Sequence, residues 1–366
     1  MKKIIYKVFT KAIKLEGKSP NFASALINDI KKDFWYNKEN NIMQKIWAYK
    51  RGFFSNKIQL YNLNEKNYHK YLSDFEYYSL YPINGKSSNW INDKLTLKYI
   101  LNPFDDYLPK YYYQINNGKV LKLMDCKSEF SDDVYGLINL LKQEKHIAIK
   151  LIAGTLGNGF YKISYINNEF YKNEDMISEN ELIDFITSLK NHVAIEYINA
   201  HNTIKQIFDK TPNAIRMMTI KDENYENHIV AAFIRFGTKK TGFIEHGQVG
   251  GIFATIDIDS GKFSNAKILE NGQGVNLTYH PDTGQILEGY IPNWSLVKDE
   301  IQKMCDYIRQ VKYMGWDIVI TDDGFKVLEI NSHQLLSGIQ MYNPLYENEH
   351  SCKFFKQLLE ENKSKL

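Results

Sequence analysis

The sequence predicts an α+β fold, and three observations carry that prediction. The second half holds four short β-branched runs between turn residues, over 193–198, 214–221, 228–236 and 251–257. A single long amphipathic stretch, 296–314, follows them, with Val297, Ile301, Met304, Ile308 and Val311 on one stripe. Strands and helices mix without strict βαβ alternation, which favours α+β over a doubly wound parallel sheet.

Composition narrows the function classes. The 366 residues suit about two domains. Lys and Arg number 46 against 43 Asp and Glu, a net charge of +3 that gives no argument for a nucleic-acid partner. Cys126, Cys305 and Cys352 are far apart and odd in number, so neither a zinc site nor a disulfide framework is expected, and a cytoplasmic setting fits. No window offers the ~20 apolar residues of a membrane span. Met1 to Leu15 interleaves Lys2, Lys3, Lys7, Lys11 and Lys14 with apolar residues. It reads as a solvated helix, or at most as a peripheral contact with the inner face of a membrane.

Taken in order, residues 1–90 read as helices and loops, with Trp35, Trp47, Phe53 and Phe54 packing a small helical layer. Asn92-Asp93-Lys94 opens a helix that runs through Tyr99 toward Pro103. His146 to Ile152 is an apolar strand around one lysine, Lys150, whose ammonium needs an anion in such surroundings. Gly154, Gly157 and Gly159 follow at once, where successive backbone N–H groups can cradle phosphate oxygens. A second strand runs from Tyr161 to Ile166, and 179–190 is helical. Arg216 lies in an apolar strand between Ile215 and Met217, where a guanidinium invites a carboxylate or phosphate. Glu196 ends the strand that begins at Val193 and could reach an adenine amino group or a ribose. Gly315 is expected to stop the long helix, and a last helix spans 351–366.

The most informative segment is 315–331, GWDIVITDDGFKVLEIN. Asp322-Asp323-Gly324 marks a hairpin between two apolar runs. A three-residue loop with Gly324 left-handed sets Thr321 opposite Phe325 and Asp317 opposite Glu329, with Asn331 on the same face. Trp316, Ile318, Ile320, Leu328 and Ile330 then point to a core. Two opposed carboxylates need a cation between them, and Mg²⁺, typically held by one or two carboxylates plus phosphates, suits Asp317, Glu329 and the Asn331 carboxamide.

The order of these parts resembles the ATP-grasp superfamily over residues 90–340: NDKLTLKYIL, AIKLIAGTLGNGF, AIEYI, NAIRMMT, then the D…ExN hairpin. It looks closest to the sugar-transfer-associated ATP-grasp group of bacterial surface-polysaccharide biosynthesis, through NAIRMMT, Gly250-Gly251 leading to Thr255-Ile256-Asp257 and Gly261, His280-Pro281-Asp282-Thr283-Gly284, Ile291-Pro292-Asn293-Trp294 and Gly315-Trp316-Asp317. The resemblance implies an N-terminal helical region (1–90), a lobe with a Gly-rich lid (91–192), a C-terminal lobe with the Mg²⁺ site (193–345) and a C-terminal helix (346–366). It implies ATP with Mg²⁺, two ions, as cofactors. Lys94 and Lys150 would hold phosphates and Gly154, Thr155, Gly157, Asn158 and Gly159 would form the lid. Glu196, Tyr197 and Ile198 would hold adenine. Asp317, Glu329 and Asn331 would bind metal, and Arg216 would neutralise the γ-phosphate or an acyl phosphate. Glu245-His246 stands where a polar Asp-Asn pair is expected. His246 and His280 are candidates to contact substrate or accept a proton. The implied activity is an ATP-dependent carboxylate–amine ligase joining an amino acid or small amine to a sugar or sugar-linked substrate of a capsule or lipopolysaccharide. A sugar kinase and a nucleotide-binding scaffold are the alternatives.

Overall fold

The structure, a computed structural model, describes residues 20–154, 159–242 and 250–364. Met1 to Leu15, Thr155, Gly157, Asn158, Glu245 and His246 lie outside the described residues.

Two antiparallel sheets carry the site. The first is built from β1 (Tyr111–Asn116), β2 (Lys119–Lys122), β3 (His146–Leu151), β4 (Tyr161–Ile166), β5 (Glu169–Lys172), β6 (Asp175–Ile177) and β7 (His192–Glu196), in the order β2-β1-β7-β3-β4-β5-β6. The second holds β8 (Ile215–Lys221), β9 (Asn227–Phe236), β10 (Ile252–Ile256), β11 (Lys262–Glu270), β12 (Gln273–Asn276), β13 (Gly289–Tyr290), β14 (Tyr313–Thr321) and β15 (Gly324–Asn331). Its order is β12-β11-β10-β9-β8-β14-β15, with β13 on β11. The first sheet therefore reaches past the lobe boundary expected at 192/193, because β7 pairs with both β1 and β3.

The helix starts nearest the site have a local cause. In the N-terminal region, α1 (Pro20–Lys31) and α2 (Ile42–Lys50) precede α3 (Asp74–Ser79), which opens on a reciprocal Ser73/Glu76 capping box. Asp93 caps α4 (Lys94–Ile100) by accepting from the Thr96 N–H at 2.7 Å. The Lys94 N–H donates to Ile152 O, which ties the start of α4 to the end of β3. Against the first sheet pack α5 (Val134–Glu144) and α6 (Glu179–Ser188), sharing a core of Leu137, Leu141, Leu182 and Ile186 with Ile147, Ile149 and Ile163.

The second sheet is covered on both faces. α7 (Trp294–Tyr307) buries Val297, Ile301 and Met304 against Met217, Ile234 and Trp316 on one face. The other face packs Met218, Ile220 and Tyr313 against Tyr77 of α3 and against Phe354 and Phe355 of α8 (Glu349–Ser364). Burial on both sides explains why β14 reads as a continuous apolar run rather than an alternation. The N-terminal region is pinned to this sheet by carboxamides. Asn84 bonds the Tyr313 carbonyl at 2.7 Å and accepts from the Lys312 and Tyr313 N–H groups. Gln340 bonds both backbone groups of Leu72 at 2.9 and 3.0 Å.

Four expectations differ from the structure. The helix expected over 296–314 ends at Tyr307, and Ile308 and Val311 are buried beyond it. Gly315 does not stop that helix; it lies within β14, where an added Cβ would come 2.5 Å from Gln334 Oε1. The hairpin turn has two residues, not three: Thr321 pairs with Gly324, and Ile320 with Phe325. A bulge at Leu328 then shifts the register by one, so that Asp317 still faces Glu329. Leu328 is half-buried and lines the cavity described below, while Val327 is buried in the core.

Candidate functional site

The site forms where the ends of β3, β8, β9, β14 and β15 meet the start of α4. Asp317 on β14 is directly opposite Arg216 on β8 and Glu329 on β15. That register makes a guanidinium and two carboxylates cross-strand neighbours, close enough to interact.

Asp317 is 4% exposed and is contacted by two arginines. Arg216 grips it with a two-pronged contact, Nε to Oδ1 at 2.8 Å and Nη2 to Oδ2 at 2.9 Å. Arg235 on β9 adds Nη2 to Oδ1 at 2.9 Å. Glu329 is held by Lys94, Nζ to Oε2 at 3.0 Å. The same ammonium lies 3.4 Å from the carbonyl of Gly154, so one lysine joins the helix start, the glycine loop and the hairpin. Lys150 lines the cavity on β3 and sits 5.7 Å from the Phe160 ring centroid.

Burial works to raise the Glu329 carboxyl, but Lys94, the hydrogen bond with Asp317, Lys150 and Arg216 outweigh it and hold the group well below the usual carboxylate range. For Asp317, burial prevails over Arg216 and Arg235, and with Glu329 alongside its carboxyl is raised.

Asn331 brings its carboxamide to 3.4 Å from both Asp317 Oδ2 and Glu329 Oε1. Turning that amide over presents Oδ1 to the same point. Three hard oxygen donors then converge, a set that fits Mg²⁺ with its remaining positions left to water or phosphate.

All of these groups border one cavity of about 1260 Å³. Lys94, Lys150, Gly154, Arg216, Asp317, Glu329 and Asn331 line it as the sequence suggests, together with Arg235. Arg235 is not among the expected site residues, although it carries the same signal as Arg216, an arginine inside an apolar run (Ile229 to Phe236). Four cations face two acids, an excess of positive charge that favours a polyanion.

Other expected residues are placed elsewhere. Glu196 accepts from the Lys110 N–H at 3.1 Å, Lys162 Nζ covers the Tyr197 ring at 4.5 Å, and Ile198 is buried. None of the three is among the residues bordering the cavity. Gly159, at φ +68, approaches Leu151 and His192 closely, where any side chain would clash. His280 is not brought to the cavity: it is 1% exposed and stacks on Phe208 with 5.2 Å between ring centroids. Its Nε2 donates to Gly237 O at 2.8 Å and its Nδ1 accepts from the Asp282 N–H at 3.2 Å, so both ring nitrogens are committed.

Residues 74–347 match the family described as sugar-transfer associated ATP-grasp. No curated protein matches the chain. Among solved structures it is similar to an L-amino acid ligase from Bacillus licheniformis, at 12% identity over 74% of this chain and 48% of that one, TM-score 0.40. It is also similar to D-alanyl-alanine synthetase A from Vibrio cholerae O1 biovar eltor, at 12% over 76% and 66%, TM-score 0.42. A third is N5-carboxyaminoimidazole synthetase from Staphylococcus aureus complexed with ADP, at 11% over 71% and 51%, TM-score 0.38. The chain spans 48%, 66% and 51% of the lengths of these three structures.

Proposed function

Since the chain belongs to the sugar-transfer associated ATP-grasp family, we propose that it is an ATP-dependent carboxylate–amine ligase. It joins an amino acid or small amine to a sugar of a bacterial surface polysaccharide through an acyl phosphate. The observation that carries this reading is the convergence of Lys94, Lys150, Arg216 and Arg235 with Asp317, Glu329 and Asn331 on one cavity.

In this reading a substrate carboxylate oxygen forms a bond to the γ-phosphorus of ATP and the bond to the β-phosphate oxygen breaks, releasing ADP. The amine nitrogen of the second substrate then bonds to the acyl carbon. The acyl C–O bond breaks, phosphate leaves and the nitrogen gives up a proton. There is little covalent work for the protein in such a step; positioning and charge neutralisation dominate. Lys94 and Lys150 fix phosphate oxygens. Arg216 and Arg235, already braced on Asp317, present guanidinium edges where two anions must approach each other. Asp317, Glu329 and Asn331 would hold Mg²⁺, which supplies neutralisation of phosphate charge when bound. Lys94 is pre-oriented by Glu329 and Gly154, so it needs no reordering when phosphate arrives.

A screen of sugar acids and amines for ADP release, with mass spectrometry of the product, tests the proposal. An amide product formed only when an acid and an amine are both present supports it. A phosphorylated sugar formed without any amine refutes it.

A further inference from the structure

The cavity does not end at the cation-rich cluster. It runs on to an outer half walled by the N-terminal helical region, and the two halves differ in charge. The inner half sets Lys94, Lys150, Arg216 and Arg235 against Asp317 and Glu329. The outer half sets four carboxylates, Asp29, Asp33, Glu39 and Asp74, against three lysines, Lys32, Lys38 and Lys57. By these groups the inner half carries a net +2, which draws a polyphosphate, and the outer half a net −1, which gives a second anion no attraction.

The outer half also has the means to bind. The side chains of Lys57 and Asp74 are 10% and 16% exposed, and their Nζ and Oδ1 stand 3.8 Å apart. Lys57 donates to Ser337 Oγ at 2.8 Å, and Asp74 accepts from the Phe54 N–H at 2.9 Å. An ammonium has three donors and a carboxylate about four acceptor sites, so each keeps capacity for a ligand. Gln334 lines the same cavity at 2% exposure with its amide against Gly315 of β14 and near the Tyr313 hydroxyl, and among the described residues neither amide atom makes a well-formed hydrogen bond. A buried carboxamide in that state is stabilised by a ligand that satisfies it. Tyr61 and Tyr78 add aromatic surface. A donor, an acceptor, an amide that is both and aromatic faces together match the hydroxyls and C–H faces of a sugar ring.

The wall is tied to the reaction centre by the segment that leaves β15. His333 stacks on Tyr77 of α3 with 4.1 Å between ring centroids, and Ser337 meets Lys57. The family match begins at residue 74, so Lys57 and Tyr61 lie outside it.

We propose that the N-terminal helical region is the acceptor-binding wall of this enzyme. Its Lys57–Asp74 pair, with Gln334, seats a non-anionic, hydroxyl-rich acceptor: a sugar ring bearing the nucleophilic amine. The activated carboxylate then comes from the other substrate, held at the arginines. This rests on the ligase reading above.

The test uses the full chain, with saturation-transfer NMR on glucosamine, glucose and glucuronate and a parallel calorimetric titration of ATP. Glucosamine and glucose bind, and glucuronate binds about tenfold more weakly, the weight of one mismatched charged contact. Asp74→Asn and, independently, Tyr78→Leu, which removes the aromatic face, weaken glucosamine binding by about three- to tenfold, while ATP affinity is retained. Preferred binding of glucuronate, sugar binding indifferent to both variants, or no sugar binding by a chain that binds ATP would each overturn the acceptor wall alone. Failure of the wild-type chain to bind ATP would overturn the ligase reading, and the acceptor role with it.

Discussion

Arg235→Ala isolates the electrostatic logic of the site. The substitution removes the 2.9 Å contact to Asp317 Oδ1 and leaves the two-pronged contact from Arg216 in place. Losing one hydrogen bond to a charged group that stays buried costs about 1.5–3 kcal/mol. The larger cost of about 3–5 kcal/mol, for a buried charge with no partner, is not reached because Arg216 remains. In an Asp317→Asn background the balance changes. The carboxylate that Arg235 contacts is gone, Glu329 is left to Lys94 and Arg216, and Arg216 and Arg235 confront each other. The same Arg235→Ala change there costs about 1 kcal/mol or less, or stabilises. The coupling between the two positions is therefore about 0.5–3 kcal/mol, against the ~0.5 kcal/mol within which independent sites add. Urea midpoints of the four proteins, at constant slope, measure it. An equal cost of Arg235→Ala in both backgrounds would show that Arg235 does not answer the charge of Asp317.

Three further predictions follow from the same geometry. Lys94→Ala and Lys150→Ala each raise the ATP dissociation constant by about ten- to a hundredfold in calorimetry; unchanged affinity removes that lysine from the phosphate site. His280→Ala lowers stability by about 2–4 kcal/mol, through two lost hydrogen bonds and the vacated contact with Phe208, while the folded protein keeps its rate of ADP formation. A lost rate at full stability would give His280 a part in the chemistry. Gly315→Ala drives a Cβ to within 2.5 Å of Gln334 Oε1 and 2.6 Å of its Cδ, and costs about 1–3 kcal/mol by chemical denaturation; a neutral effect would mean that Gln334 moves freely.

The pairing of Asp317 with Glu329 was legible in the sequence for a reason only half right. Asp-Asp-Gly can close a two- or a three-residue turn, and the local chemistry does not choose between them. The chain takes the shorter turn, and the bulge at Leu328 restores the pairing that the shorter turn would have lost. The stripe from Val297 to Val311 correctly reported burial, but burial continues into the loop at Ile308 and Val311, so the spacing overran the helix. Lys94, Lys150 and Arg216 could be read because each breaks an apolar or helix-opening context. The role of the N-terminal region could not. Its contacts with the centre, such as Lys57 to Ser337 and Gln340 to Leu72, join residues about 270–280 positions apart, and nothing local marks them.

In the proposed reaction Asp317 and Glu329 would hold Mg²⁺ beside the phosphates of ATP. The most direct measurement is Mg²⁺-dependent ADP formation, with an acid and amine pair found by the screen, by the wild-type chain and by the Asp317→Asn/Glu329→Gln double variant. The variant is expected to lose about a hundredfold or more, with the Mg²⁺ dependence abolished. ADP formation that persists at the wild-type rate, with its Mg²⁺ dependence intact, would contradict that metal role.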